Sequence, residues 1–205
     1  MLEDNQKTSA AVLFITKKKF FGDDFLIILA SGSPRREELL KKICSDFKIH
    51  VSDAEEFTNA DSPIHLAVEN AKLKAKAVAK DFPNDTIIAA DTIVALDNKI
   101  FGKPKDFDDA CKMLRELAGK IHVVISGVAV IQNGELKTAS EITKVHFGEM
   151  TDEEIFNYVK TGEPMDKSGS YALQGGIAPY IKKINGDWTN VVGLPLYCLR
   201  NLLSL

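Results

Sequence analysis

The sequence predicts an α/β fold with a mixed central sheet flanked by helices. Two observations lead to this prediction. Strand and helix patterns alternate from about residue 25 onward, and the dipeptide Asn133-Gly134 lies between two long apolar segments. Alternation is typical of parallel strands joined by helices, whereas a two-residue turn joins antiparallel strands. The sheet is therefore expected to contain both kinds of pairing.

The composition indicates one folded domain. The 205 residues are 45% hydrophobic and 27% charged, which excludes a largely disordered chain, and the net charge of −3 excludes a protein that is basic overall. We expect residues 1–24 to be an N-terminal extension and residues 25–205 to be a single domain. Three widely spaced cysteines without metal-ligand spacing, and the absence of a long apolar run, predict a cytoplasmic protein.

The first half of the chain predicts three strands separated by two helices. The first strand is a continuous apolar run, typical of a strand buried on both faces, and the third carries an Asp-Thr pair in its middle. Each helix begins with a Ser-Pro pair, in which serine is the N-cap and proline takes the first helical position. In chain order the elements are a strand at Phe25–Ala30, a helix from Ser33-Pro34, a strand near Phe47–Val51, a helix from Ser62-Pro63 to Lys80 and a strand at Thr86–Leu96.

The second half predicts a hairpin between helices. Asn133-Gly134 favours a two-residue hairpin turn, Gly119 is typical of the residue after a helix, and Thr151 opens a capping box. In chain order the elements are a helix from Asp106 to Leu117, strands at Ile121–Ile131 and Leu136–Phe147, a short helix after Thr151 and a helix near Pro195.

The turn at residues 31–36, with the sequence SGSPRR, is the first candidate site. It joins a buried strand to a helix, and a helix N-terminus offers free N–H groups and the positive end of the dipole to an anion. The hydroxyls of Ser31 and Ser33 and the guanidinium groups of Arg35 and Arg36 add donors that match phosphate oxygens. The alternative is that Ser33 only caps the helix and both arginines are solvated; we favour a phosphate site.

Asp91 is an ionisable residue inside the apolar run AADTIV. A buried carboxylate is seldom without a partner, so Asp91 is expected to face a cleft or to meet a cation. Beside phosphates that cation would be Mg²⁺ or Mn²⁺, which few carboxylates hold together with the substrate. Glu56, in the acidic segment after the second strand, could supply a second carboxylate. The alternatives are a solvated turn for Asp91 and a solvated acidic loop for Glu56.

Two glycine-containing segments complete the candidate residues. Lys103, in Gly102-Lys103-Pro104, would be a fixed point charge in a loop, although the pattern of a P-loop is absent. Gln174, which precedes Gly175-Gly176, carries both a donor and an acceptor, as reading a base edge requires. Each of these segments, when taken alone, is weak evidence for a binding site.

Seven segments together resemble the Maf family of nucleoside triphosphate pyrophosphatases over about residues 25–205. They are LASGSPRR, KAKAV, AADTIV, GKP, SGVAV, EPMDKSGSYALQGG and NVVGLPL, in that order. The resemblance implies hydrolysis of a nucleoside triphosphate to the monophosphate and pyrophosphate with a divalent metal cation, Mg²⁺ or Mn²⁺. It also implies a twisted mixed sheet in two lobes with a cleft between them, the Maf/ITPase-like arrangement.

The resemblance implies a role for each candidate residue. Asp91 would be the catalytic acid or base, and Asp91 and Glu56 would be the metal ligands. The positions that match phosphate-binding residues of the family are Ser31, Ser33, Arg35, Arg36, Lys74 and Lys103. The positions associated with substrate choice are Arg35, Thr92 and Gln174. The segment after Pro164 resembles the dTTP/UTP subgroup, which favours dTTP, UTP and modified pyrimidine nucleotides as substrates.

Two other functions stay open at this stage. One is the 7-methyl-GTP-type pyrophosphatase of the same family. The other is a non-enzymatic regulator that binds nucleic acid or a division protein through the SPRR surface, although the net charge and the lack of aromatic residues around this surface argue against it. We expect a house-cleaning role in nucleotide metabolism, with no nucleic-acid or membrane partner. The oligomeric state is open, with a homodimer among the alternatives.

Overall fold

The structure, a computed structural model, describes residues 26–97 and 99–204. Its strands are β1 (Ile27–Leu29), β2 (Lys48–Ile49), β3 (Thr86–Leu96), β4 (Lys99–Phe101), β5 (Ile121–Gln132), β6 (Glu135–Phe147) and β7 (Ile181–Asn185). Its α-helices are α1 (Pro34–Lys41), α2 (Pro63–Ala79), α3 (Phe107–Leu117), α4 (Asp152–Lys160), α5 (Trp188–Val192) and α6 (Leu196–Leu202). Short 3-10 turns lie at Glu163–Asp166, Ser168–Ser170 and Ala178–Tyr180.

Two sequence predictions concern residues outside this description. The N-terminal extension, residues 1–24, and Phe25 at the start of the first predicted strand lie there, so that the division of the chain at residue 25 stays a prediction. Within the described ranges, no helix has the length and apolarity that a membrane span requires.

The sheet is mixed, as the sequence predicts. Its strand order is β2-β1-β3-β5-β6-β7; β1 runs parallel to β2 and β3, and the other pairs are antiparallel. The predicted hairpin joins β5 and β6, and Asn133 and Gly134 both have positive φ, 52° and 76°, as a type I′ turn requires. The α/β fold with both kinds of strand pairing is confirmed.

One face of the sheet is covered by α2. The residues that make this contact are small, as the sequence predicts: Ala67, Ala71, Ala75 and Val78 are all buried. At Gly127 on β5 the helix backbone comes so close that a Cβ would lie 2.4 Å from the carbonyl carbon of Ala67. Gly127 is the partner of Asp91 in the β3–β5 ladder. The close approach therefore brings α2 directly over the predicted catalytic residue.

The opposite face of the sheet carries two groups of helices. One hydrophobic cluster joins α1 and α6 to the sheet and includes Leu39 and Ala90. A second cluster joins α3 and α4 to the sheet and includes Leu114 and Val94. Thr92 lies on the same face of β3 between Ala90 and Val94, because alternate residues of a strand share a face. The predicted cleft between two lobes therefore opens over Thr92.

An edge of β3 is open at the same place. Residues 86–88 pair with β1, residues 94–96 pair with β4, and β5 occupies the other edge. Between them, residues 89–93 have no strand beside them on the first edge within the described part of the chain. Because β1 ends here and leads into α1, the turn at residues 31–36 faces the middle of β3.

Three local features differ from the predictions. Ser33 is the N-cap residue of α1, but its hydroxyl makes no cap hydrogen bond, since the Arg36 N–H already donates to the Ser33 carbonyl oxygen at 3.1 Å. The second strand is only two residues long and both are exposed. The short elements β4 and α5, of three and five residues, were not predicted because so few residues show no periodicity.

Candidate active site

A cleft of about 720 Å³ opens over the middle of β3. Every residue that the sequence analysis assigns to a site lines it: Ser31, Ser33, Arg35, Arg36, Glu56, Lys74, Asp91, Thr92, Lys103 and Gln174. These residues come from the turn between β1 and α1, the first turn of α1, the loop after β2, α2, β3, the loop after β4 and the turn at residues 172–175. The structure brings the predicted residues together, and their chemical roles stay predictions.

The cleft extends around the open edge of β3 and so reaches both faces of the strand. Asp91 is a buried carboxylate that lines it on the face that α2 covers. Only 8% of the residue is exposed. Its Oδ1 accepts a hydrogen bond from Lys74 Nζ at 2.8 Å, and its Oδ2 accepts one from Asn70 Nδ2 at 3.2 Å. Lys74 and Asn70 are four residues apart on α2 and so lie on one face of the helix. The carboxylate is thereby held in one orientation by two donors.

Lys74 links Asp91 to a second carboxylate. Its Nζ also lies 2.8 Å from Glu56 Oε1, and the Glu56 side chain is half exposed toward the cleft. In the described residues no group of three or more His, Cys, Asp or Glu side chains could hold a metal ion. Mg²⁺ commonly takes one or two protein carboxylates and completes its shell with water and substrate phosphates. Asp91 and Glu56 are the carboxylates that could serve as protein ligands of such a cation, and Lys74 Nζ lies between them in this structure.

Asn70 is a site residue that the sequence analysis missed. Besides its bond to Asp91, its side-chain amide accepts from Phe57 N at 2.8 Å and donates to Phe57 O at 3.1 Å. Asn70 is 3% exposed, and a buried amide is stable only when its polar atoms are paired. It thereby ties the loop that carries Glu56 to the helix that carries Lys74. The sequence signal for Asn70 is that it is a polar residue within the Ala-rich face of α2.

Arg36 reaches the opposite face of the sheet, and its hydrogen-bond acceptors within the described part of the chain are neutral oxygens. Its Nε donates to Gly193 O at 2.8 Å, its Nη1 to Ser31 Oγ at 3.2 Å and its Nη2 to Thr92 Oγ1 at 3.1 Å. Burial lowers the pKa of Arg36 and the charge of Asp91 raises it, but an arginine stays protonated in proteins. These bonds to described residues use three of its five N–H groups.

The Thr92 hydroxyl is oriented by the same network. It accepts from Arg36 and lies 2.9 Å from Ser126 Oγ, while Ser126 donates to Asn190 O at 3.2 Å. Either hydroxyl can be the donor between Thr92 and Ser126, because Thr92 Oγ1 also has Gly193 O as an acceptor at 3.4 Å. Ser126, Asn190 and Gly193 were not predicted as site residues. They belong to the SGVAV and NVVGLPL segments, which had been identified only as matches to the family pattern.

The second wall of the cleft consists of two loops that are bound to each other. Gly169 N donates to Gly102 O at 3.0 Å, and Ser168 Oγ donates to Thr92 O at 3.1 Å. Gly169 has a φ of +71°, a conformation that glycine adopts without strain. These bonds attach the DKSGS segment to the open edge of β3. They also leave the exposed Lys103 on the rim of the cleft.

The positive charge of Arg35 lowers the pKa of Asp166, which lies on the second wall of the cleft. Burial by itself would raise the pKa of Asp166, but a hydrogen bond from Lys167 and the positive charges of Lys167 and Arg35 lower it overall. Basic side chains thus converge on the cleft from both walls and from α2. Converging positive charges in a cleft raise the local concentration of an anionic ligand. The site is therefore suited to a polyanion beside a fixed carboxylate.

The chain is similar to known proteins over nearly all of its described length. Residues 26–205 match the family described as Maf-like protein. Relatives named dTTP/UTP pyrophosphatase include those of Clostridium novyi (49% identical), Dictyoglomus thermophilum (46%) and Pyrococcus abyssi (47%). The matches cover 84% of this chain and 93%, 91% and 92% of those proteins. A solved structure, the Staphylococcus aureus Ham1 protein, matches with a TM-score of 0.45 and 19% identity over 76% of this chain and 93% of that chain.

Proposed function

The chain belongs to the Maf-like protein family, and we propose that it is a nucleoside triphosphate pyrophosphatase. The substrates would be dTTP, UTP and modified pyrimidine nucleotides, and the products would be the nucleoside monophosphate and pyrophosphate. One observation carries the proposal: the cleft contains a fixed carboxylate, Asp91, together with Arg36, whose charge has no ion pair among the described residues. The relatives named dTTP/UTP pyrophosphatase support the choice of pyrimidine substrates.

The triphosphate would bind between the first turn of α1 and the second wall. It carries about four negative charges, which must be offset before a nucleophile can approach the α-phosphorus. The side chains that line the cleft and would offset this charge are Arg35, Arg36, Lys74 and Lys103. The N-terminus of α1 adds the positive end of its dipole, and Ser31 and Ser33 add hydroxyl donors.

Asp91 would be the general base for the attacking water. The water oxygen would bond to the α-phosphorus, its proton would pass to Asp91, and the bond from the α-phosphorus to the oxygen of the departing pyrophosphate would break. Lys74 and Asn70 hold the carboxylate in place for this transfer, which is effective only within hydrogen-bond reach. Asp91 and Glu56 would hold Mg²⁺ or Mn²⁺, which offsets phosphate charge and lowers the pKa of bound water.

Gln174 would read the base. Its side chain is exposed in the cleft, and its amide can pair with the N3–H and a carbonyl oxygen of thymine or uracil. Cytosine presents a different donor and acceptor pattern, so binding it would leave polar groups unpaired. Arg35 and Thr92 would contribute to the same choice from the other wall.

We also propose a cytoplasmic location. Cys111 and Cys198 are buried thiols that form no disulfide, which supports a reducing compartment. A homodimer stays a proposal that sedimentation of the purified protein would decide.

The proposal is tested by incubating the purified protein with single triphosphates and Mg²⁺ or Mn²⁺ and measuring pyrophosphate release. The panel contains dTTP, UTP, CTP, GTP and 7-methyl-GTP. We expect the highest kcat/KM for dTTP and UTP. A preference for 7-methyl-GTP would instead assign the chain to the other subgroup of the family. No pyrophosphate from any triphosphate would overturn the proposal and favour a binding protein without enzymatic activity.

A further inference from the structure

Gln174 lies at the apex of a turn that its own sequence does not make rigid. Gly175 N donates to Ala172 O at 3.0 Å and closes the turn, and Gly176 follows at once. Two glycines in succession leave many backbone conformations available. A side chain that distinguishes one base from another must be held within a fraction of an ångström. Restraints from elsewhere in the fold are therefore required at this turn.

A tyrosine and a glutamate restrain the turn from both sides. Tyr158 Oη accepts a hydrogen bond from Ala172 N at 3.2 Å and donates one to Glu163 Oε1 at 2.8 Å. The other oxygen of that carboxylate, Oε2, accepts from Gly176 N at 3.2 Å. The backbone N–H groups two residues before and two residues after Gln174 are thus bound to one pair of side chains.

This pair is itself fixed. Tyr158 lies on α4 and is 6% exposed. Burial raises the pKa of Tyr158, and the Glu163 hydrogen bond raises it further, so the hydroxyl keeps its proton and remains a donor. Lys167 Nζ donates to the Glu163 carbonyl oxygen at 2.6 Å and holds the backbone of that residue. A Cβ on residue 175 would overlap the Glu163 carboxylate, so glycine is required there for the contact.

We propose that Tyr158 and Glu163 are positioning residues that determine the base preference of this enzyme through Gln174. The proposal rests on the proposed function above. Among the described residues that line the cleft neither Tyr158 nor Glu163 is found, so both act through the turn that they hold. The phosphate-binding side chains belong to other elements. Loss of the pair should therefore change the choice of base more than the rate of hydrolysis.

The test is the ratio of kcat/KM for dTTP to kcat/KM for CTP in Tyr158→Phe and Glu163→Ala. We expect this ratio to fall about tenfold in each variant, the effect of one well-placed hydrogen bond. A purely structural role would lower the fraction of active protein equally for both nucleotides and would leave the ratio unchanged. Glu163→Gln keeps one acceptor oxygen and should restore part of the ratio.

A matched control is Tyr180→Phe, which removes a hydroxyl that hydrogen-bonds Glu154 instead of Glu163. We expect this variant to keep the wild-type ratio. The double variant Tyr158→Phe/Gln174→Ala should have the same ratio as Gln174→Ala alone, because the pair acts only through that side chain.

The outcomes separate this proposal from the proposed function. If the wild-type protein releases no pyrophosphate from any triphosphate, both are overturned. If the wild type prefers dTTP, and both Tyr158→Phe and Glu163→Ala keep its ratio, only the positioning proposal is overturned. An additive loss in the double variant would also overturn it, since the pair would then act independently of Gln174. If Tyr158→Phe does not fold, Glu163→Ala and Glu163→Gln decide the question.

Discussion

Arg36 is a partly buried cation whose hydrogen-bond partners among the described residues are all neutral. Gly193 O, Ser31 Oγ and Thr92 Oγ1 fix its plane, and no carboxylate in the described part of the chain forms an ion pair with it, although the charges of Asp91 and Glu56 act on it from a greater distance. A charge in such a setting is costly unless an opposite charge arrives with the ligand. This setting distinguishes Arg36 from Lys99 or Arg115, whose charges are paired with acids on the surface.

We expect Arg36→Ala to lower kcat/KM for dTTP by about 10²-fold, because its charge would act on both the bound triphosphate and the transition state. Steady-state kinetics measures this change, and a thermal unfolding curve shows whether the variant stays folded. Arg200→Ala is the control, since Arg200 is an exposed arginine at the end of α6. Unchanged kcat/KM in Arg36→Ala would mean that the SPRR turn is only a helix start.

We expect Asp91→Asn to keep the fold and to lower kcat by roughly 10²-fold or more, the scale of a general acid or base. The amide can still accept from Lys74 but cannot take a proton from water. The control is Asp97→Asn at the end of the same strand, where the φ of 53° suits asparagine. Turnover close to the wild-type value in Asp91→Asn, at saturating Mg²⁺, would contradict the assignment.

We expect Gln174→Ala to lower kcat/KM for dTTP and UTP by about 5- to 150-fold, because base groups would lose their partners in a partly dry pocket. The loss should be smaller for CTP and purine triphosphates, and the dependence on metal concentration should not change. The measurement is kcat/KM across the triphosphate panel. An equal loss for every nucleotide would place Gln174 near the phosphates or in the fold instead.

At the level of elements, the position of α2 depends on one glycine. Gly127 has no side chain, so the backbone of α2 at Ala67 contacts β5 directly. Asn70 and Lys74 lie one and two turns further along the same helix, and their bonds to Asp91 are 3.2 and 2.8 Å long. The distance of the helix from the sheet therefore also sets the geometry around Asp91.

We expect Gly127→Ala to destabilise the protein by about 1–3 kcal/mol, because the added methyl group forces α2 away from the sheet. Urea unfolding measures the loss. Displacement of α2 should also lengthen the bonds to Asp91, so kcat should fall in the protein that remains folded. If stability and kcat both match the wild type, the contact between α2 and β5 is looser than the structure shows.

At the level of the whole molecule, stability should depend on pH through a histidine in the core. His122 on β5 is 1% exposed, its Nε2 lies 2.7 Å from the Tyr171 hydroxyl, and its ring packs near Phe147. Burial lowers the pKa of His122 from 6.5 to about 4. Between these values the unfolded chain binds a proton that the folded protein does not. The free energy of unfolding is therefore not reduced by His122 above about pH 6.5, and it falls as the pH is lowered toward 4.

We expect His122→Gln to reduce the loss of stability between pH 7.5 and pH 4.5. Each tenfold change in proton affinity is worth about 1.4 kcal/mol, so His122 accounts for about 2–3 kcal/mol of that loss in the wild type. The free energy of unfolding in urea at the two pH values measures the effect. An equal pH dependence in His122→Gln and the wild type would contradict this account.

Local chemistry explains which elements could be predicted. The dipeptide Asn133-Gly134, the capping box of Thr151 and the Ala-rich face of α2 each act within a few residues, and the structure confirms all three. The strand Thr86–Leu96 has the predicted bounds, because apolar residues extend on both sides of Asp91 and Thr92. β4 and α5 were missed because they are stabilised by their neighbours and show no periodicity of their own.

The sequence alone determined the mixed α/β fold and the residue types of the candidate site, because periodicity, capping and motif order are properties of neighbouring residues. Tertiary structure decided how those residues meet. The hydrogen bonds of Asn70 to Phe57 and Asp91, and the Tyr158–Glu163 pair around Gln174, join residues 5 to 21 positions apart. The bond of Arg36 to Gly193 spans 157 positions. No local pattern encodes such contacts, since they exist only once β1 ends beside the open edge of β3 and the two lobes pack on one sheet.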